Sequence, residues 1–304
     1  YNHPMEKRNA PFTIVIKGFL MGIADIIPGI SGGTIALLAG IYTPFIDGLS
    51  ALTSLFTDRR AFRPHRNFLL LLGAGILTAL VTGIKVMSFL LSRFPAATYA
   101  FFIGLILFSL HEPLKESLPL RRGRLAALAA GFTAAFLISG LPVQEAGLPG
   151  AALFFPAGIL AVSAMMLPGI SGSFILLITG FYEAVIIYGN RFIDYLISLF
   201  SAPLPFPGEA FLALVSLFAG IALGLMTVSK GIKALLVKHH GITLAFLTGF
   251  IGGALRKPVT LVITHSGPRY EELLPVLLFF LLGGGTAVLL LTLEKRRRQG
   301  ERRP

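Results

Sequence analysis

The chain has 304 residues, of which 55% are hydrophobic and only 13% are charged. An ordinary soluble domain carries about 25% charged residues, so this composition excludes a large soluble protein with a polar surface. The absence of cysteine excludes disulfide frameworks and thiolate metal sites. The net charge of +12 does not indicate nucleic acid, because the basic residues cluster in short loops between apolar segments, as the positive-inside rule describes.

The apolar segments predict an all-α polytopic membrane protein, since about 20 apolar residues cross the bilayer core. The first half is predicted to contain a broken re-entrant hairpin, an interfacial segment and three crossings: 12–27, 31–42, 45–56, 68–91, 96–110 and 125–141. The second half is predicted to contain another broken hairpin and three crossings: 151–167, 171–182, 211–229, 242–255 and 273–293. These segments form one membrane domain, 1–293, which a basic cytoplasmic tail, 294–304, follows.

The two halves are copies of one unit, repeat 1 (12–141) and repeat 2 (150–293). Residues 24–46 align without a gap with residues 164–186, at an offset of 140, and 11 of these 23 positions are identical. The likeness continues at an offset of 145, where Lys85 meets Lys230 and Gly104 meets Gly249. The change of offset predicts a longer linker in the second copy, near 188–208.

An odd number of crossings in each copy predicts that the two repeats are inverted relative to each other. With both termini in the cytoplasm, the basic segments 59–66, 115–124 and 233–238 lie inside, whereas the loops 142–150 and 201–209, which have no basic residue, lie outside. Among the basic residues that depart from this charge pattern are Arg191, Arg256 and Lys257. Inverted repeats with broken helices are typical of secondary transporters.

Each copy contains the sequence Pro-Gly-Ile-Ser-Gly, which predicts a helix break at Pro28-Gly29 and at Pro168-Gly169. Irregular backbone survives in a membrane only inside protein or beside a water-filled cavity, so two matched breaks predict a shared cavity. Ser31 and Ser171 follow the two breaks as predicted N-caps, and the free N–H groups of such a helix start bind phosphate or carboxylate. The predicted anion-binding residues are Ser31, Gly32, Gly33, Thr34, Ser171, Gly172, Ser173, Lys85 and Lys230. The alternative is a pair of packing kinks lined by small residues.

Charged residues inside apolar segments are costly and usually functional. Lys85 and Lys230 recur together, which favours neutralisation of an anion, although a long side chain can also extend to the interface. Asp25 and Glu183 are candidates for coupling to protons or sodium ions. Neither acid is repeated, since Met165 occupies the position of Asp25 in the second copy and Thr43 occupies the position of Glu183 in the first. All six histidines fall in predicted loops or tails: His3, His65, His111, His239, His240 and His265.

An enzyme is the third interpretation, because the segment from Gly29 to Gly33 fits the Gly-x-Ser-x-Gly pattern of a nucleophile elbow. That pattern requires a strand–turn–helix context, which this helical sequence lacks. A Ser31–Lys85 dyad is the remaining arrangement for an activated nucleophile. The sequence therefore predicts no catalytic residue, no cofactor and no metal site.

The segment Gly22-Ile-Ala-Asp-Ile-Ile-Pro-Gly-Ile-Ser-Gly-Gly-Thr34, followed by Gly40-x-Tyr42, resembles the first signature of the bacterial polyprenyl-phosphate transporter family. Met166-Leu-Pro-Gly-Ile-Ser-Gly-Ser-Phe174, followed by Gly180-x-Tyr182-Glu183, resembles the second, and Phe101-Phe-Ile-Gly-Leu-Ile106 a third. At Thr43 the sequence departs from this family, in which Glu often follows the first Tyr.

The resemblance implies a flippase that moves undecaprenyl phosphate across the bacterial cytoplasmic membrane, for recycling of the carrier lipid in cell-wall synthesis. Its partners would be the polyprenyl-phosphate lipid and the bilayer, with no nucleic acid; the sequence does not indicate an oligomeric state. The alternative that the residues leave open is an ion-coupled secondary transporter of a small soluble anion.

Overall fold

The computed structural model of the protein describes residues 11–53, 62–119, 121–140, 148–165, 171–266 and 270–300. All regular structure in these ranges is helical, which confirms the all-α class. The helices are α1 (Pro11–Ile26), α2 (Gly32–Ala39), α3 (Tyr42–Thr53), α4 (Arg66–Arg93), α5 (Pro95–Ser109), α6 (His111–Ser117), α7 (Arg122–Ile138), α8 (Phe154–Met165), α9 (Gly172–Ile178), α10 (Tyr182–Ser198), α11 (Gly208–Lys238), α12 (His240–Ala254), α13 (Arg256–His265) and α14 (Tyr270–Gly300). A 3-10 turn, Ala151–Leu153, precedes α8.

Three stretches in the described residues are long and apolar enough to cross a membrane: Arg66–Arg93, His240–His265 and Leu273–Arg296. A fourth arises if α9 and α10, which are bent by 111° at the turn between them, form one broken span. The other predicted crossings correspond to α5 with 15 residues, α7 with 17 residues and the apolar part Gly208–Gly224 of α11. The protein is therefore a multi-pass membrane protein, and the described residues contain three or four full-length spans of the six crossings that we expected.

One predicted element is wrong. The expected linker near 188–208 contains most of the 17-residue helix α10, because Ala184 and Tyr188, one turn apart, are buried in a cluster with Phe154 and Ala213. In the predicted tail 294–304, α14 continues as far as Gly300. The charged residues that follow Leu293 are good helix formers and extend the helix.

The described residues form two compact units. The first consists of the described parts of Tyr1–Ile26, Ser31–Gly83 and Leu293–Pro304, and the second of the described parts of Ile27–Ile30 and Ile84–Thr292. These units divide the chain differently from the repeats, because α5 and α7 of repeat 1 belong to the second unit with α8 to α13 of repeat 2.

In the first unit, α1 packs against α4 through glycines. A Cβ atom at Gly18 would overlap the carbonyl oxygen of Leu72, and one at Gly75 would overlap that of Val15. Small residues allow such close approach, which drives helix association where water provides no hydrophobic force. Beside this contact lies a core of buried side chains: Met21, Ala36, Ile41 and Leu72.

In the second unit, α8 packs against α11 with the same contacts at equivalent positions. A Cβ atom at Gly158 would overlap the carbonyl oxygen of Leu217, and one at Gly220 would overlap that of Phe155. These four residues are the repeat counterparts of Gly18, Leu72, Gly75 and Val15, at the offsets of 140 and 145. The internal similarity of the sequence therefore extends to close helix contacts.

The second unit also contains two glycine contacts in which helices of the two repeats alternate. Gly104 on α5 meets the carbonyl oxygen of Phe280 on α14, and its counterpart Gly249 on α12 meets that of Leu128 on α7. Both pairs run parallel, since partner numbers rise together; on α12 and α7, for example, Gly253 meets Phe132 one turn further on. The fifth helix of each repeat, α5 or α12, therefore packs on the last helix of the other repeat, α14 or α7.

One departure from the charge pattern has a structural explanation. Arg256, at the start of α13, donates from Nη1 to the carbonyl oxygen of Phe136 at 2.9 Å. Its Cζ atom lies 4.3 Å from the centroid of the same phenylalanine ring. A cation near a helix C-terminus is favourable, so Arg256 stabilises the end of α7.

Candidate anion-binding site

The first break separates α1, which ends at Ile26, from α2, which begins at Gly32. Pro28 is buried, and Gly29 has a φ of 98°, in the left-handed region that residues with a Cβ atom rarely adopt. Little room is left for a side chain, since a Cβ atom at Gly29 would lie 3.0 Å from Cγ1 of Ile106. Pro28 and Gly29 thus lie in irregular backbone between two helices, as the sequence predicts.

At the start of α2, two of the predicted backbone donors already have acceptors. Asp25 Oδ1 accepts a hydrogen bond from the N–H of Gly32 at 2.8 Å, and Ser31 Oγ accepts one from the N–H of Gly33 at 3.3 Å. Ser31 has the extended backbone of an N-cap, with φ −113° and ψ 131°. Thr34 lies half-buried in the same first turn. This helix start therefore binds an anionic oxygen, and in this structure the oxygen comes from the protein itself.

The contact of Asp25 with Gly32 explains why glycine stands at position 32. A Cβ atom there would lie 2.8 Å from Cγ of Asp25. Sequence reasoning treated Asp25 as a candidate coupling residue and missed its capping role. The signal was its position near the end of α1, followed by a break that returns the chain.

The second break differs from the first. Residues 166–170, with Pro168 and Gly169, lie outside the described residues. Ser171 is buried and extended, with φ −99° and ψ 142°, but its side chain makes no capping bond; its Oγ lies 2.7 Å from Oγ of Ser173. Met165, the counterpart of Asp25, lies where its Sδ would be 2.9 Å from a Cβ atom at Gly172. A thioether thus replaces the carboxylate at the start of the seven-residue helix α9.

Both short helices end in the same way, which explains the repeated Gly-x-Tyr. Gly40 and Gly180 have φ values of 72° and 81°. Gly40 N–H donates to Leu37 O at 3.1 Å, and Ile41 N–H donates to Ala36 O at 3.0 Å. The second copy has the same two bonds: Gly180 N–H donates to Leu177 O at 3.2 Å, and Phe181 N–H donates to Leu176 O at 2.8 Å. This is the Schellman arrangement. The half-helices therefore stop before Tyr42 and Tyr182, which begin α3 and α10, rather than at them as predicted.

Glu183 lies in the first turn of α10, where an acidic side chain is favourable. Tyr99 Oη donates a hydrogen bond to Glu183 Oε1. Tyr99 is fully buried in α5, and its ring centroid lies 6.3 Å from that of His265. Sequence reasoning missed Tyr99, although it stands two residues before the third signature.

Lys85 is part of an ion pair. Its Nζ contacts Oδ1 of Asp194, and the side chains of these two residues are 35% and 44% exposed. Asn190 Nδ2 donates to Oδ2 of the same carboxylate at 3.1 Å. Asp194 was missed because it lies in the segment that we expected to be a linker. Lys230 lies within α11, but its side chain is outside the described part of the structure.

The predicted positions of the histidines are corrected in part. His111 and His240 begin helices, His239 is an N-cap residue, and His265 ends α13, because these helices extend into the expected loops. His3 lies outside the described residues. Within the described ranges, no group of three His, Cys, Asp or Glu side chains could hold a metal ion.

The chain matches the family model described as undecaprenyl phosphate translocase-like over residues 21–269. It is 35% identical over 251 residues to the polyprenyl-phosphate transporter of Vibrio cholerae, covering 80% of this chain and 75% of the relative. It is also 35% identical over 253 residues to the polyprenyl-phosphate transporter of Staphylococcus aureus, covering 79% and 83%. No solved structure matches the chain. Both relatives are transporters rather than enzymes, and the chain belongs to the undecaprenyl phosphate translocase-like family.

Proposed function

We propose that this protein moves undecaprenyl phosphate across the bacterial cytoplasmic membrane by alternating access and so returns the carrier lipid for reuse. The family match and the names of both relatives support the substrate. The observation that supports the binding mode is the hydrogen bond from Gly32 to Asp25, because it shows an anionic oxygen bound at a broken helix. A phosphate oxygen has the same requirements.

In this proposal, the lipid phosphate replaces the carboxylate of Asp25 at the start of α2. The hydroxyl and backbone groups of Ser31, Gly32, Gly33 and Thr34 hold its oxygens. In the second copy, the corresponding residues are Ser171, Gly172 and Ser173. Lys85 and Lys230 neutralise the phosphate, since a charged headgroup cannot enter a membrane protein without counter-charge.

The parallel helix pairs of the second unit support inverted repeats. Successive crossings run in opposite directions. Since the short helix α6 joins α5 to α7, the direction of α7 is opposite to that of α5. Because α12 is parallel to α7, it runs opposite to its own counterpart α5. The same argument applies to α14 and α7. We infer a cytoplasmic location for both termini, as the loop charges predict.

The proposal is tested by flipping of a fluorescent polyprenyl phosphate in proteoliposomes. We expect Lys85→Ala with Lys230→Ala to reduce the rate at least tenfold, whereas Lys115→Ala with Lys238→Ala, which removes the same charge from exposed positions, leaves it near the wild-type value. Unchanged flipping in the first variant would overturn the assignment of the lysines. Displacement of the lipid by millimolar inorganic phosphate alone would instead favour a transporter of small anions.

A further inference from the structure

We propose that Asp194 is an internal counter-ion for Lys85, which the phosphate of the substrate displaces and which returns when the phosphate leaves. This inference rests on the proposed function, since it assigns Lys85 to the phosphate. It adds a positioning residue, Asp194, in α10. Of the three signatures only the second enters this helix, and it ends at Glu183. Both members of the pair lie in the second unit.

The need for a counter-ion follows from the sequence of α4. Between Arg66 and Arg93 this 28-residue helix has one charged residue, Lys85. An ammonium group without a partner in such a segment is costly. Asp194, 109 residues further along the chain, provides the opposite charge from α10.

The carboxylate is oriented by its neighbours. Its Oδ1 contacts Lys85, while its Oδ2 accepts from Asn190 Nδ2 at 3.1 Å, one helical turn earlier. The adjacent residues Gly189 and Ile84 bring α10 and α4 together, since a Cβ atom at the buried glycine would lie 3.0 Å from Cδ1 of the isoleucine. Because Asn190 contacts a different oxygen, it can retain the carboxylate when the lysine changes partner.

The pair is accessible to a ligand. The side chains of Lys85 and Asp194 are 35% and 44% exposed, so neither is sealed by protein. A phosphate group offers several charged acceptor oxygens to one ammonium, and lysine binds phosphate as a point charge. Lys85 therefore has a counter-charge both with and without substrate, and it never faces the membrane interior unpaired.

The test is equilibrium binding of a short-chain polyprenyl phosphate to the purified full-length protein. We expect Asp194→Asn to bind about fivefold more tightly than wild type, because the phosphate no longer competes with a carboxylate for the ammonium. Asn190→Asp should bind several-fold more weakly, since it places a second carboxylate beside Lys85. The matched control is Asp47→Asn on α3, an exposed carboxylate-to-amide change with no expected effect.

The opposite directions of the two variants separate the counter-ion role from a structural one. If Asp194→Asn does not fold, Asn190→Asp still tests the competition. If the wild-type protein binds the lipid, but the affinity of either folded variant is unchanged or changes in the wrong direction, this inference is overturned and the proposed function stays intact. Wild-type protein that does not bind the lipid at all would overturn the proposed function itself.

Discussion

The carboxylate of Asp25 accepts a hydrogen bond from the backbone N–H of Gly32 at 2.8 Å, across the break that separates α1 from α2. The protein thus carries its own anion at the helix start that we assign to the substrate. Lys85 likewise forms an ion pair with a carboxylate of the protein itself, that of Asp194. Both groups assigned to the phosphate have an internal partner, so in our proposal substrate binding is an exchange of anions rather than the filling of an uncompensated site.

Asp25→Ala should lower the stability of the protein by about 1–3 kcal/mol, because the half-buried N–H of Gly32 loses its acceptor. Asp25→Asn keeps a carbonyl oxygen at the same place and should lose less. The measurement is thermal unfolding of the purified protein in detergent, with Asp47→Ala as the exposed control. Equal melting temperatures for Asp25→Ala and wild type would show that the cap does not contribute.

Gly32→Ala should destabilise the protein by about 1–3 kcal/mol through steric overlap, since its Cβ atom would lie 2.8 Å from Cγ of Asp25. Gly33→Ala is the matched control, because the corresponding Cβ atom would be 3.4 Å from Oγ of Ser31. Adding Asp25→Ala to Gly32→Ala removes the overlap and should recover part of the loss. The same unfolding assay ranks the variants, and equal loss in the two alanine variants would contradict the contact.

Much of the fold could be predicted from sequence. The long apolar runs gave spans close to their final bounds, such as 68–91 for Arg66–Arg93, because hydropathy and membrane thickness act locally. The position of the first break followed from Pro28 and Gly29 for the same reason. Helix α10 was missed because its apolar residues are interleaved with the polar residues Glu183, Asn190 and Asp194. Such a sequence resembles a polar linker until the buried face of the helix is known.

The partners in the candidate site could not be predicted. Asp25 and Gly32 are close because the chain reverses at the break, and Lys85 meets Asp194 across 109 residues. Such pairs depend on how the helices pack, and the periodicity of a single segment does not determine that packing. The glycine contacts were in the sequence as matched positions, but only the structure shows that Gly104 and Gly249 each face a helix of the other repeat.

Gly40→Ala and Gly180→Ala should each cost about 1–2 kcal/mol, because φ values of 72° and 81° place a Cβ atom near a carbonyl oxygen. Gly73→Ala is the control, since a Cβ atom there would have nothing within 4 Å. In the interior of α4 this change should stabilise the protein by about 0.5–1 kcal/mol. A loss of stability in Gly73→Ala as large as in the other two would contradict the argument from backbone conformation.

Tyr99→Phe and Glu183→Ala should both reduce transport, because either change removes the hydrogen bond between the two residues. If that bond is what each residue contributes, the double variant should be no slower than the single variants, since residues that act through one contact are not additive. Flipping rates in proteoliposomes give the comparison, with Tyr195→Phe on α10 as the control. Rates that multiply in the double variant would show that the two residues act independently.

Arg93 and Lys238 provide the sharpest test of inverted repeats, because they are counterparts at the offset of 145 and both are exposed at helix ends. Since the chain has no cysteine, Arg93→Cys and Lys238→Cys each introduce a single reactive thiol. A membrane-impermeant maleimide should label Arg93→Cys in right-side-out vesicles and Lys238→Cys only in inside-out vesicles. Ser201→Cys, in a loop that we place outside, should label with Arg93→Cys. Labelling of both counterparts from one side would mean that the two halves share one orientation, and the alternating-access mechanism would lose its structural basis.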